Sequence, residues 1–292
     1  MRPAYNEAAT QTARARTTIG DRSIIMTNIS TFSDSDAYEL QMGRWSRRLG
    51  EPFLDFIGTV DGERVLDVGC GTGSLAFAIA RRSNVKAVCG IDSTTAFIDS
   101  ATNKNSDPRI EFRVGDAGAL PFRDGTFDKV LSLLVLHFVP KAELAIKEMR
   151  RVARPGGTVG AAVWDARGGF VSQRMFLDTA AMLDPKAVEA RARHLTRPMT
   201  RPGELEAAWG AAGFHDIRHT TVMTRMEFAS FDDYWTPFLG RQGGSASYVA
   251  TLGETQLVAL RENVRRAYLD GEPDGPRSYA AIAWAVKGVV PG

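Results

Sequence analysis

From Arg64 onward, short apolar runs alternate with stretches whose apolar residues recur every three or four positions. Short runs bounded by turn residues read as buried strands, and the longer period reads as amphipathic helix. The pattern predicts strands over Arg64–Val68, Lys86–Ile91, Ile110–Val114 and Phe127–Leu134, with helices over Gly73–Arg82 and Thr94–Asn103 between them. Lys141–Ala153 continues as a helix with Ala145, Met149 and Val152 on one face; Pro155-Gly156-Gly157 ends it, and Thr158–Trp164 is the fifth strand. Strands that alternate with helices at this spacing need crossover connections, so the fold class is α/β with a doubly wound, mostly parallel sheet.

Beyond Trp164 the pattern loosens into a mostly helical stretch. A helix over Thr200–Gly213 carries an apolar stripe of Leu205, Ala208, Trp209 and Ala212, followed by a long strand over His215–Phe228 and a final strand over Ser278–Val290. Between those strands lie an aromatic cluster (Phe231, Tyr234, Trp235, Phe238), a glycine-rich loop GRQGGS holding Arg241, and a helix with Leu257, Leu260, Val264 and Tyr268 in phase. Upstream, Asp36–Val60 reads as two amphipathic segments broken near Gly50-Glu51-Pro52. The expected organisation is a leader over 1–33 followed by one domain over 34–292, with capping insertions at about 165–200 and 229–276. The first 25 residues are rich in Arg, Thr and Ala and hold only Glu7 and Asp21 as acids, so we expect them to be a disordered leader or to lie upstream of a start at Met26.

Composition changes this picture little. A chain of 292 residues that is 44% apolar can bury a full core. A formal charge of +2 gives no overall field for nucleic acid or anionic membrane. Two cysteines, Cys70 and Cys89, are too few for a disulfide framework, and no run reaches the length of a membrane span. A cytoplasmic protein is expected, with no metal site: His215 and His219 sit in an expected strand with no cluster of acids or cysteines to complete one.

The chemistry concentrates in VLDVGCGTGSLA, a strand that runs into a glycine turn and opens a helix. Such a turn lets backbone approach a nucleotide closely. A dinucleotide fingerprint needs its third glycine where Ser74 stands, and a phosphate loop needs a lysine that is absent here. Asp67 lies under the turn, where it would repel a pyrophosphate but not a cationic ligand. Asp92 ends strand two, where a carboxylate can accept from a ribose diol; Asp116, in GDAGALPF, ends strand three, where it can accept from an adenine amino group. A positive head, a ribose and an exocyclic amine without phosphates describe S-adenosylmethionine.

With these motifs in order, together with GID at 90–92, FDKVLSLLVLHFV at 127–139 and ARPGG at 153–157, the chain resembles class I S-adenosylmethionine-dependent methyltransferases of the broad type that includes ubiquinone/menaquinone-biosynthesis enzymes, over roughly residues 36–165. The resemblance implies a seven-stranded Rossmann-like sheet with an antiparallel last strand. It further implies that Asp67, Gly69 and Gly71 hold the methionine portion, Asp92 the ribose, Asp116 and Ala117 the adenine, and Ser132 and Leu133 the rim near the sulfonium, with Cys70 and Ser93 also among the cofactor-binding residues. AYELQMGRWSR (37–47) resembles the lid helix of similar proteins, with Tyr38 and Arg44 closing over the cofactor and Arg44 meeting its carboxylate.

Methyl transfer by direct displacement needs alignment and desolvation more than a catalytic side chain. His137, just past strand four, is the candidate base. Strand four lacks the Asn/Asp-Pro-Pro-Tyr/Phe element of many enzymes that methylate amino groups of DNA bases, and the aromatic residues of the two insertions (Trp164, Phe170, Phe176, Trp235, Phe238) suit a small, partly apolar acceptor rather than nucleic acid. A non-catalytic S-adenosylmethionine-binding regulatory module and a dinucleotide oxidoreductase are the competing readings, and the oligomeric state is left open.

Overall fold

The computed structural model describes residues 36, 38–58, 61–240 and 243–292; the expected leader and Arg241 lie outside the described residues. A π-helical turn over Glu39–Gly43 leads into α1 (Arg44–Ile57). There follow β1 (Arg64–Val68), α2 (Ser74–Arg82), β2 (Ala87–Asp92), α3 (Thr95–Lys104), β3 (Ile110–Val114), β4 (Phe127–Leu133), α4 (Ala142–Val152) and β5 (Ala153–Trp164). The second half contains α5 (Val171–Leu183), α6 (Pro185–Leu195), α7 (Glu204–Ala211), β6 (His215–Phe228), α8 (Phe231–Trp235), α9 (Gly243–Val249), α10 (Glu254–Leu269) and β7 (Arg277–Val289).

The seven strands order as β3-β2-β1-β4-β5-β7-β6. Every pair from β3 to β5 is parallel, and β7 runs antiparallel to both its neighbours, β5 and β6. The chain starts at the centre with β1 and winds outward in both directions, so β1 and β4 flank the switch point where ligands enter open α/β sheets. Strand β1 shows why it must be central: Val65, Leu66, Asp67 and Val68 are all buried, which only a strand covered on both faces permits. Parallel register then brings Val68, Asp92, Val114 and Leu133, the last residues of β1 to β4, to one edge.

At two prolines the structure departs from the sequence pattern. Helix α1 does not break near Gly50-Glu51-Pro52 but runs through Pro52. Trp45, Leu49, Phe53 and Ile57 repeat at helical spacing and are buried, and burial of four such side chains at roughly 2 kcal/mol each outweighs the roughly 3 kcal/mol an internal proline costs. Strand β5 begins at Ala153, so Pro155-Gly156-Gly157 lies inside it, at the register shift opposite Phe127–Lys129. A bulge is where a strand tolerates proline, and Gly156 there takes a φ of +70° while donating its N–H to the Val290 carbonyl (2.9 Å).

The two helical insertions carry their own aromatic core. Phe176 stacks on Phe238 at 4.0 Å between ring centres, and Tyr234 stacks on Tyr268 at 5.4 Å. The Tyr234 hydroxyl donates to the Ser172 carbonyl (2.8 Å), joining the insertion after β6 to the one after β5. No helix among the described residues is long and apolar enough to cross a membrane.

Gly69 tests the local argument. Its φ is +74°, and a Cβ there would overlap the Val135 side chain, whereas Gly271 has a φ of +82° with open space around it. Gly271→Ala should therefore cost only about 1 kcal/mol of backbone strain, and Gly69→Ala at least about twice that, as read by urea denaturation. Equal losses would show that Val135 yields freely.

Candidate functional site

The glycine turn after β1 is held by β2. The Ile91 carbonyl accepts the N–H of both Gly69 (2.7 Å) and Cys70 (3.0 Å), and the Cys70 carbonyl accepts the Gly73 N–H (2.9 Å). Asp92 completes the hold: Oδ2 accepts the Gly71 N–H (3.0 Å) and Oδ1 accepts the Thr94 N–H (2.9 Å) at the entrance of α3. One carboxylate thus fixes both the turn and the next helix start, with a lone pair on each oxygen left for a ligand. Gly71, at φ +54°, lies beneath Tyr38; a Cβ there would sit 3.2 Å from the phenol oxygen. Burial pushes the Tyr38 hydroxyl up to about 12, so it stays protonated.

Over this edge of the sheet opens a cavity of about 830 Å³. That is ample for two small molecules side by side, since single-ligand pockets start at roughly 300 Å³. On the β2/β3 side its wall holds Asp92, Ser93, Gly115, Asp116 and Ala117; Asp116 Oδ1 accepts the Gly118 N–H (2.8 Å). On the β4/β5 side the wall holds Leu133, His137, Phe138, His194 and Arg197. Aromatic residues from α1, the ends of β5 and β6 and the insertions, among them Trp45, Trp164, Phe170, Phe228 and Phe238, line the rest. Asp92 and Asp116 are the acids of the lining, and Arg193 and Arg197 its arginines. The charge is therefore divided across the sheet edge.

The expected site residues fall into two groups. Tyr38, Gly69, Gly71, Asp92, Ser93, Asp116, Ala117, Leu133 and His137 all line the cavity. Arg44, Asp67, Cys70 and Ser132 do not. Arg44 is turned aside: its guanidinium pairs with Asp233 at 2.9 Å and lies 4.2 Å from the Trp45 ring centre. Cys70 is 7% exposed and Ser132 fully buried, each below the surface of the cavity.

Asp67 sits directly under the turn, 1% exposed, with Oδ2 lacking any hydrogen-bond partner. Burial raises its carboxyl to about 7, against the steadying effect of the Ala76 N–H, and the nearby Asp92 charge adds to the rise. His137 is shifted the opposite way, to about 3, by burial first and then by Arg197 and His194; its Nδ1 has no partner. His194 is lowered to about 4 by burial, Arg197 and Arg174. Both imidazoles are neutral at working pH. His215 and His219 are half exposed or more and pair with Asp216 and Glu206, and the described residues contain no group of three or more potential metal ligands.

Glu39 is a residue that sequence reasoning missed. It accepts from Thr72 in the glycine turn, from Lys104 (3.0 Å) at the end of α3 and from Arg47 (2.6 Å) in α1, and these bonds hold its carboxyl below the usual range despite half burial. It is the pin between the segment carrying Tyr38 and the turn. Its only sequence signal is its place within AYELQMGRWSR.

A sequence profile described as "Methyltransferase domain" matches residues 66–160, the span from β1 to β5. The chain is 38% identical over 197 residues to a demethylmenaquinone methyltransferase of Beutenbergia cavernae, a match over 63% of this chain and 79% of that protein. It is 39% identical over 98 residues to a fatty-acid O-methyltransferase of Mycolicibacterium smegmatis, covering 34% of this chain and only 36% of that protein's length. Among solved structures, a putative methyltransferase from an antibiotic biosynthesis pathway of Anabaena variabilis shares the fold with a TM-score of 0.55 at 18% identity, over 82% of this chain and 98% of that one. A doubly wound sheet with an antiparallel last strand, opening at its β1/β4 switch point over a glycine turn, is a Rossmann-like methyltransferase fold. The chain belongs to the class I S-adenosylmethionine-dependent methyltransferase superfamily.

The Asp67 shift has a measurable consequence. A carboxyl at about 7 in the folded chain and at 3.8 when unfolded keeps a proton that unfolding releases, so its contribution to stability is full below about pH 4 and is lost as pH rises to about 7. The stability of the native protein minus that of Asp67→Asn, measured by urea denaturation, should fall across this window by up to roughly 4 kcal/mol. A flat difference would mean that Asp67 is ionised throughout.

Proposed function

We propose that the chain binds S-adenosylmethionine against the Gly69–Gly73 turn and methylates a small, partly apolar organic acceptor by direct displacement. The observation that carries this reading is the Asp92 carboxylate, which faces the cavity at the end of β2 with hydrogen-bonding capacity left over, beside a turn that offers no lysine to a phosphate. The cofactor supplies a methyl carbon on a sulfonium, an electrophile that loses its charge on transfer.

The residues present fit such a ligand. Asp67 is a buried acid with an orphaned oxygen under the turn, and a neighbouring cation would favour its charged form where an anion would oppose it. The backbone of Gly69, Cys70 and Gly71 would hold the methionine portion, Asp92 and Ser93 the ribose hydroxyls, and Asp116 with Ala117 the adenine amino edge. Leu133 and the buried Ser132 behind it would form the rim near the sulfonium, with Tyr38 above Gly71 excluding water. Arg44, engaged with Asp233, has no part in this reading. His137 is neutral, which is the form that can take a proton, but at about 3 it is a weak base. We therefore assign it contact with the acceptor, and proton uptake only from an acceptor that needs little help.

S-Adenosylmethionine and S-adenosylhomocysteine should each raise the melting temperature of the full chain, and NAD(H) should not; stabilisation by NAD(H) alone would overturn the reading. Asp92→Ala should weaken S-adenosylhomocysteine binding in titration calorimetry by about 1–3 kcal/mol through lost charge-assisted hydrogen bonds. An unchanged affinity would put the ribose elsewhere.

A further inference from the structure

The β4/β5 side of the cavity contains a cation without an anion. Arg197 lies 4.5 Å from the Phe138 ring centre, and a Cβ on Gly244 would be 3.5 Å from its Nη2, so the guanidinium spans from the turn after β4 to the start of α9. Among the described residues no acid pairs with it. Other arginines of this stretch behave otherwise: Arg174 pairs with Asp178 at 2.9 Å, Arg191 with the same carboxylate at 3.1 Å, and Arg193, also in the lining, with Glu189 at 3.7 Å. An arginine keeps its charge even where burial opposes it, so a half-buried, unpaired guanidinium carries an unmet demand for an anion.

Three further polar groups on the same side are unsatisfied. His137 Nδ1, His194 Nε2 and Trp164 Nε1 are buried without hydrogen-bond partners, and the three residues line the cavity with Arg197. Trp164 and Phe170 pack at 4.9 Å between ring centres, and Phe170 lies 6.2 Å from the His194 ring, so an apolar wall leads up to this polar end. The acids of the lining, Asp92 and Asp116, stand on the other side of the sheet edge.

Resting on the methyltransferase reading above, we infer that the acceptor is an amphiphile with a single anionic oxygen group, a carboxylate or a phosphate monoester, anchored by Arg197 while its apolar body lies along Trp164 and Phe170. The planar fork of the guanidinium matches two oxygens of such a group. Each neutral imidazole beside it carries one N–H and adds no second positive charge, which fits one carboxylate or phosphate group rather than a chain of phosphates.

The test uses the full chain with and without saturating S-adenosylhomocysteine, titrated calorimetrically with octanoate, octyl phosphate and octanol. At least one of the two anions should bind about tenfold or more tightly than octanol, and the tighter of them identifies the group. Arg197→Gln should remove that preference while leaving the affinities for octanol and S-adenosylhomocysteine unchanged, which also shows that the variant is folded; Arg197→Lys should restore part of it. Equal binding of acid and alcohol by the native protein, or a preference that survives in Arg197→Gln, overturns the inference. Failure of S-adenosylhomocysteine to bind would overturn the cofactor reading instead, and the titrations without it would still decide the anchor.

Discussion

The carboxylate of Asp92 is bound to two backbone turns at once, the glycine turn after β1 and the first turn of α3. Backbone N–H groups at a strand–helix junction have no partner of their own, and a carboxylate at the end of the adjacent strand satisfies them while bringing negative charge to the sheet edge. Shape and charge at the switch point therefore have a common source. The positive φ at Gly69 and Gly71, the closeness of Val135 and Tyr38 to them, and the hydrogen bonds from Gly69 and Cys70 to the Ile91 carbonyl belong to the same held turn.

Charge is then sorted by strand order. The acids that line the cavity come at the end of β2 and just past β3, and its arginines and neutral histidines come after β4 and from the insertion after β5. Winding outward from β1 in both directions puts the two sets on opposite sides of one opening. A cationic ligand and an anionic one would thus be drawn to adjacent ends of the same cavity, each end disfavouring the other's occupant.

Much of this was legible in the chain itself. Buried strands of a parallel sheet are continuous apolar runs, and the turn glycines mark backbone conformations that other residues resist, so β1 to β4 and the strand-end acids could be read off directly. Pro52 and Pro155 misled, because local proline rules yield where tertiary burial or a bulge absorbs the cost. Arg44 looked like a ligand-binding residue, but Asp233, 189 positions away, lies beside it in the fold and takes its charge. Glu39, Arg197 and His194 were invisible for the same reason: a charged residue acquires its meaning from partners, or their absence, that only folding brings near.

The π-turn over Glu39–Gly43 sets the rotational phase of the chain at this point. A residue added to a helical turn rotates the chain on one side of it by about 100° relative to the chain on the other. Tyr38 is thereby aimed at Gly71 while Leu49 and Phe53, farther along, point into the core. Shortening that segment by one position would swing the phenol off the turn without disturbing the packing of α1, so the cover over the opening and the helix beneath it are governed by separate parts of a single continuous element.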